Sequence, residues 1–95
     1  MTLAELQDLM ARTYGARDAE RGVPATVAWL TEELGELAQA ARKGTPAQQL
    51  HEMSDVLAWM ASLANQLGLD LEEAVARYAD GCPKCHGVPC RCSTT

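Results

Sequence analysis

The chain has 95 residues and a mass of 10.2 kDa, with 47% hydrophobic, 22% charged and 4% aromatic residues and no Phe, which leaves room for one small domain only. A formal net charge of -5 and a pI of about 4.8 exclude a passive phosphate-backbone binder, which would present a basic stripe to release counterions. No stretch approaches the roughly 20 apolar residues that span a bilayer.

The elements follow from their start signals. Thr2 with Glu5 reads as a capping box, and Leu3, Leu6, Leu9 and Met10 recur on one face as far as Tyr14, with Gly15 expected to end the first helix. A polar link from Arg17 to Gly22 follows. Pro24 suits the first turn of a second helix, which runs to Lys43 and stops at Gly44. Thr45-Pro46 with Gln48 opens a third helix, expected to reach Leu67 before Gly68. Asp70 and Glu73 repeat the capping pattern for a fourth helix ending near Asp80, with Gly81 available as its left-handed cap. Connections of two or three residues imply antiparallel packing, so the fold class is an all-α, compact four-helix bundle. A bundle this short buries little of its surface, so self-association as a homodimer or homotetramer is expected.

Chemistry divides the chain at Gly81. Residues 1–80 carry all 13 acids and all but two of the eight bases, whereas residues 81–95 carry Lys84, Arg91 and all four Cys. The expected organisation is a helical domain, 1–80, and a Cys-rich tail, 81–95. The start, Met1-Thr2-Leu3-Ala4-Glu5, lacks the basic and apolar regions of a secretory signal, which makes a cytoplasmic protein the expectation.

Acids interrupt the apolar stripes. On the second helix Leu30, Leu34, Leu37 and Ala41 line one face, yet Glu32, Glu33 and Glu36 fan across one flank of it. On the third, Glu52 and Asp55 stand in line with Val56, Trp59 and Leu63. A carboxylate beside a packed face is costly unless a cation neutralises it. Arg42 and Lys43 lie too near the helix end to serve, and a divalent ion with oxygen preference, Mg²⁺ or Mn²⁺, suits five carboxylates on adjacent helices. Glu-Glu-x-x-Glu alone is common on solvated faces; its pairing with Glu-x-x-Asp is what points to metal. A di-iron bundle would need Glu-x-x-His motifs, which the chain lacks.

Glu32-Glu33-x-x-Glu36, a 15-residue gap and Glu52-x-x-Asp55 together resemble the MazG-like nucleoside triphosphate pyrophosphohydrolases, relatives of the all-α dUTPases. The surrounding text agrees: Glu-Glu-Leu-Gly-Glu-Leu, Asp55-Val-Leu, and Leu63-Ala-Asn-Gln-Leu-Gly-Leu-Asp-Leu-Glu-Glu-Ala. The resemblance covers residues 26–80. It implies Mg²⁺-dependent cleavage of a nucleoside triphosphate between the α and β phosphates, yielding monophosphate and pyrophosphate. It also implies that Glu33, Glu36, Glu52 and Asp55 are metal ligands, with Glu32 a further ligand or the base that orients water, so that Glu32 and Glu33 stand closest to catalysis. Several relatives carry an Asn and a basic stretch in the fourth helix; here Ala79 and Asp80 precede the Cys tail. Phosphate contacts are therefore left to Lys43, Arg77, Lys84 or Arg17, each more often a plain surface charge. Trp29 and Trp59 flank the acids by one turn and could stack on a base, although a Trp on an inward face is more often core. His51 could assist, but an exposed His near a helix start is the commoner case.

In the tail, Cys82-Pro83-Lys84-Cys85-His86-Gly87 looks like half of a zinc ribbon, and Cys90 and Cys92 supply a second pair. Four thiolates can close a structural Zn²⁺ site, with His86 able to replace one Cys. A redox pair, unligated reactive thiols and a metal shared between subunits are the alternatives. A closed site would pin the tail against the bundle rather than catalyse. The rival to an enzyme is a non-catalytic, zinc-stapled helical module that binds a protein partner.

Overall fold

A computed structural model describes residues 1–93, and among them four helices form: α1 Leu3–Arg21, α2 Val23–Lys43, α3 Pro46–Leu67 and α4 Leu71–Ala76. The long α3 is central and packs on both α2 and α1, while the short α4 packs on α1. No helix among the described residues is long and apolar enough to cross a membrane.

Capping explains most of the boundaries. The Thr2 side chain accepts from Glu5 N at 3.0 Å while Glu5 Oε1 accepts from Thr2 N at 2.8 Å, and Thr45 with Gln48 repeats the reciprocal pair on α3. Asp70 caps α4 through Glu72 N at 2.8 Å, without the return bond from Glu73 that a full box requires.

Two boundaries differ from expectation. α1 does not stop at Gly15 but runs on to Arg21, absorbing the segment read as a link. A helical Gly costs only about 1 kcal/mol, and Gly22, at φ 84, is the residue that turns the chain. α4 ends at Ala76, not Asp80; single-turn bonds from Tyr78 N to Val75 O and from Ala79 N to Ala76 O carry the chain to Gly81.

The core is thin. Leu30, Ala40, Ala61 and Ala64 are its buried apolar residues, joined by the polar Asp18, Thr26 and Ser62. Where apolar burial is small, directional bonds matter more, and Gln7 supplies four of them. Its amide donates to Asn65 Oδ1 and Leu69 O and accepts from Leu71 N, and its carbonyl takes a bond from Asn65 Nδ2. One side chain thus ties α1 to the end of α3 and the start of α4.

Beyond Gly81 the tail folds back as a knuckle-like turn, with Cys82 N bonded to Gly87 O and His86 N to Cys82 O. It gathers Cys82, Cys85, Cys90 and Cys92 into one cluster.

Candidate active site

The turn between α2 and α3 sets the site. It consists of Gly44 and Thr45, and Gln49 Nε2 buttons it down by donating to Ala40 O and Gly44 O. This tight reversal lays α3 antiparallel along α2 and brings Glu33 and Glu36 opposite Glu52. Carboxylate oxygens of all three lie within 4.8 Å of one another.

Glu33 Oε2 and Glu52 Oε2 are shut off from solvent and have no hydrogen-bond donor among the described residues. Desolvation, and then the charge of Glu36, push both carboxyls above their ordinary value; Asp55 adds to the effect on each. Unsatisfied buried acceptors of like charge are the environment that a cation relieves. Oxygen donors at this spacing match a hard divalent ion, whose ligands sit roughly 2.0–2.6 Å from the metal.

A model of the MazG nucleotide pyrophosphohydrolase domain matches residues 21–86, and a dATP/dGTP diphosphohydrolase of Cyanophage S-2L is 38% identical over 74 residues, covering 78% of this chain and 67% of the relative. The chain belongs to the MazG nucleotide pyrophosphohydrolase family. It is therefore a hydrolase, and the non-catalytic interaction module gives way as a reading of its function.

Among the MazG acids, Glu33, Glu36 and Glu52 form the trio. Asp55 lies one turn along α3 from Glu52, with its Oδ2 3.5 Å from His51 Nε2. Glu32 is exposed and stands outside the trio. His51 is thus an exposed partner of Asp55. Trp29 and Trp59 stack on each other, with ring centroids 6.0 Å apart and planes at 12°. The two rings thus pack on each other, and Trp29 remains 46% exposed.

Two concavities adjoin the acids. One, of about 310 Å³, runs between α1 and α3 and is walled by Tyr14, Arg17, Asp18 and Arg21 on one side and Asp55 and Trp59 on the other. The second lies at the α2–α3 turn, where Lys43 shares the lining with Glu36 and Glu52. Arg17 and Lys43 hence stand near acids, whereas Arg77 caps α4 and its guanidinium is taken up by Tyr78. Lys84 is exposed in the tail.

Asp18 and Arg21 were not legible as site residues. Asp18 is only 3% exposed. Its Oδ1 accepts from Arg21 Nη1 at 2.7 Å, its Oδ2 has no partner among the described residues, and the Arg21 guanidinium lies 4.7 Å from the Trp59 ring centroid. The available signal was the Asp-x-x-Arg spacing, which pairs on one face only if residues 17–21 are helical.

In the tail, backbone N–H groups of Cys85 and Lys84 lower the Cys82 thiol to about 6, while the neighbouring sulfurs of Cys90, Cys82 and Cys85 raise Cys92 to about 12. Backbone donors thus dominate at Cys82 and neighbouring sulfurs at Cys92.

Proposed function

We propose that the protein hydrolyses a nucleoside triphosphate between its α and β phosphates, releasing monophosphate and pyrophosphate, with Mg²⁺ (or Mn²⁺) as cofactor. The observation that carries this reading is the trio of Glu33, Glu36 and Glu52, two of whose oxygens are buried without a donor. Glu33, Glu36, Glu52 and Asp55 would hold the ion, and Glu32 is a further ligand or the group that orients water. Mg²⁺ bound there supplies charge neutralisation for the phosphates and a lowered pKa for the attacking water. An acidic site otherwise repels a polyphosphate.

The flanking concavities divide the remaining work. The α1–α3 cavity, with its aromatic and arginine lining, is large enough to receive a base and sugar, and Lys43 stands where a phosphate tail would need a positive charge. Purine deoxynucleotides are the first substrates to try, because the phage relative is a dATP/dGTP diphosphohydrolase.

The test is incubation with a nucleotide panel and Mg²⁺, separating products by chromatography. Monophosphate and pyrophosphate in equal amounts are expected, with Glu36→Gln and Asp55→Ala slower by about 100-fold or more, because loss of a metal ligand weakens both ion and phosphate binding. Release of inorganic phosphate without pyrophosphate would reject the cleavage position.

We also infer that the enzyme works as a homodimer or homotetramer. Leu50, Met53, Leu57 and Met60 follow a 3–4–3 spacing along α3 and are 39–69% exposed, and Val27 and Leu34, seven apart on α2, are also open to solvent. A second copy of the same chain, carrying the same stripe, is the occupant that such seam spacing suits.

A further inference from the structure

The cysteine turn lies outside the nucleotide chemistry, and its geometry carries a separate conclusion. Cys82 Sγ is 3.6 Å from both Cys92 Sγ and Cys90 Sγ, and Cys85 Sγ is 4.0 Å from Cys90 Sγ. A disulfide would bring one pair to about 2.05 Å and leave the others apart. The corners of a tetrahedron around an ion with metal–sulfur bonds of about 2.3 Å are instead roughly 3.8 Å from one another. The three separations match that edge rather than a bonded pair, and all four sulfurs lie within 4.8 Å of one another.

The backbone is shaped around them. Cys85 Sγ accepts from Gly87 N at 3.4 Å and Arg91 N at 3.2 Å, and Cys90 Sγ accepts from Cys92 N at 3.3 Å. Such N–H groups stabilise thiolate charge and orient the ligands. The turn that delivers them requires His86 at φ 59 and a glycine next to it, because a Cβ on Gly87 would meet Pro89 O at 2.6 Å and Cys85 Sγ at 3.2 Å.

Among the described residues the segment has little apolar packing of its own. From Cys82 to Cys92 only Gly87 is buried, and apart from the two bonds of Cys82 and His86, the hydrogen bonds described within it end on sulfur. A segment without an apolar core takes its folding energy from the ion that its ligands share.

We propose that residues 82–92 form a metal-folded knuckle in which Cys82, Cys85, Cys90 and Cys92 bind one zinc-class cation per chain, all four positions being protein sulfur. The ion is structural, since no position is left for substrate. Soft sulfur in the tail and hard oxygen on α2 and α3 would let two metals coexist in one chain without exchange. The inference does not depend on the proposed reaction.

The test uses the full chain, reduced and stripped by chelator, then titrated with Co²⁺ followed by Zn²⁺. One Co²⁺ per chain with the intense visible bands of tetrahedral tetrathiolate is expected, bleached by one equivalent of Zn²⁺. The band should persist in Glu36→Gln and His86→Ala and be lost or shifted in Cys85→Ser. Trypsin should cut after Lys84 and Arg91 in the stripped protein and at least about 10-fold more slowly once Zn²⁺ is bound. Absence of the band, its loss in His86→Ala, one ion per two chains, or equal cleavage with and without Zn²⁺ would each overturn the proposal.

Discussion

Asp18 and Arg21 make the most consequential pair outside the acidic trio. Removing one member of a buried pair leaves the other charge uncompensated, so Asp18→Ala should cost about 3 kcal/mol, read as a lowered melting temperature, and Asp18→Asn should cost less because it still accepts from Arg21. The acids yield a pH prediction. Glu33 and Glu52 bind their protons more tightly in the folded chain than in the unfolded one. Their contribution to stability is therefore complete below the ordinary carboxylate value of 4.5 and is lost as pH rises through the raised values. Melting temperature of the ion-free protein should fall over that window, less steeply in Glu33→Gln, and added Mg²⁺ should offset the fall because it binds the deprotonated form. The Glu-Glu-x-x-Glu and Glu-x-x-Asp spacings made the acids legible, since helical periodicity fixes which side chains share a face. Which oxygens come closest depends on helix register and rotamer, and the spacing alone did not separate Glu33, Glu36 and Glu52 from Glu32 and Asp55.

The α2–α3 turn converts two amphipathic helices into a site. Thr45→Ala removes the side-chain acceptor for Gln48 N and should cost about 1 kcal/mol by thermal denaturation. The same change frees the start of α3, so, if the proposed Mg²⁺ site operates, the Mg²⁺ concentration for half-maximal activity should rise together with the loss of stability. Capping boxes were visible in sequence because both partners are local and three residues apart. The end of α1 was not, because Gly15 and Gly22 look alike in a list of residues. Only the second is followed by Val23-Pro24 and adopts a positive φ that ends the helix. α4 was overextended because after Ala76 the chain goes on in single-turn bonds toward the cysteine turn, where Gly81 approaches Val88 and Gly87, and the capping signals do not distinguish such turns from continued helix.

At the scale of the molecule, the thin core and the open apolar stripes are two views of one arrangement. Leu57→Glu places a charge in the middle of the α3 stripe and should shift the protein to monomer by light scattering on a size-exclusion column, while far-ultraviolet dichroism keeps its helical signal. Retention of the wild-type mass would remove this stripe as the seam. The all-α architecture and its antiparallel hairpin were legible from caps and short connections. The shape of the α1–α3 cavity was not, because Arg17, Asp18 and Arg21 of its wall come from a stretch that reads as linker until Gly22 is recognised as the joint. That joint is a single residue, and it separates two kinds of work. The chain after it carries the trio and nearly all of the segment that matches the family, and the helix before it lends Tyr14, Arg17 and Asp18 to the cavity wall. If the nucleotide lodges there, its selection and its cleavage belong to different parts of the polypeptide, so that exchanging the leading helix would alter which bases are admitted while the cutting apparatus stayed as it was.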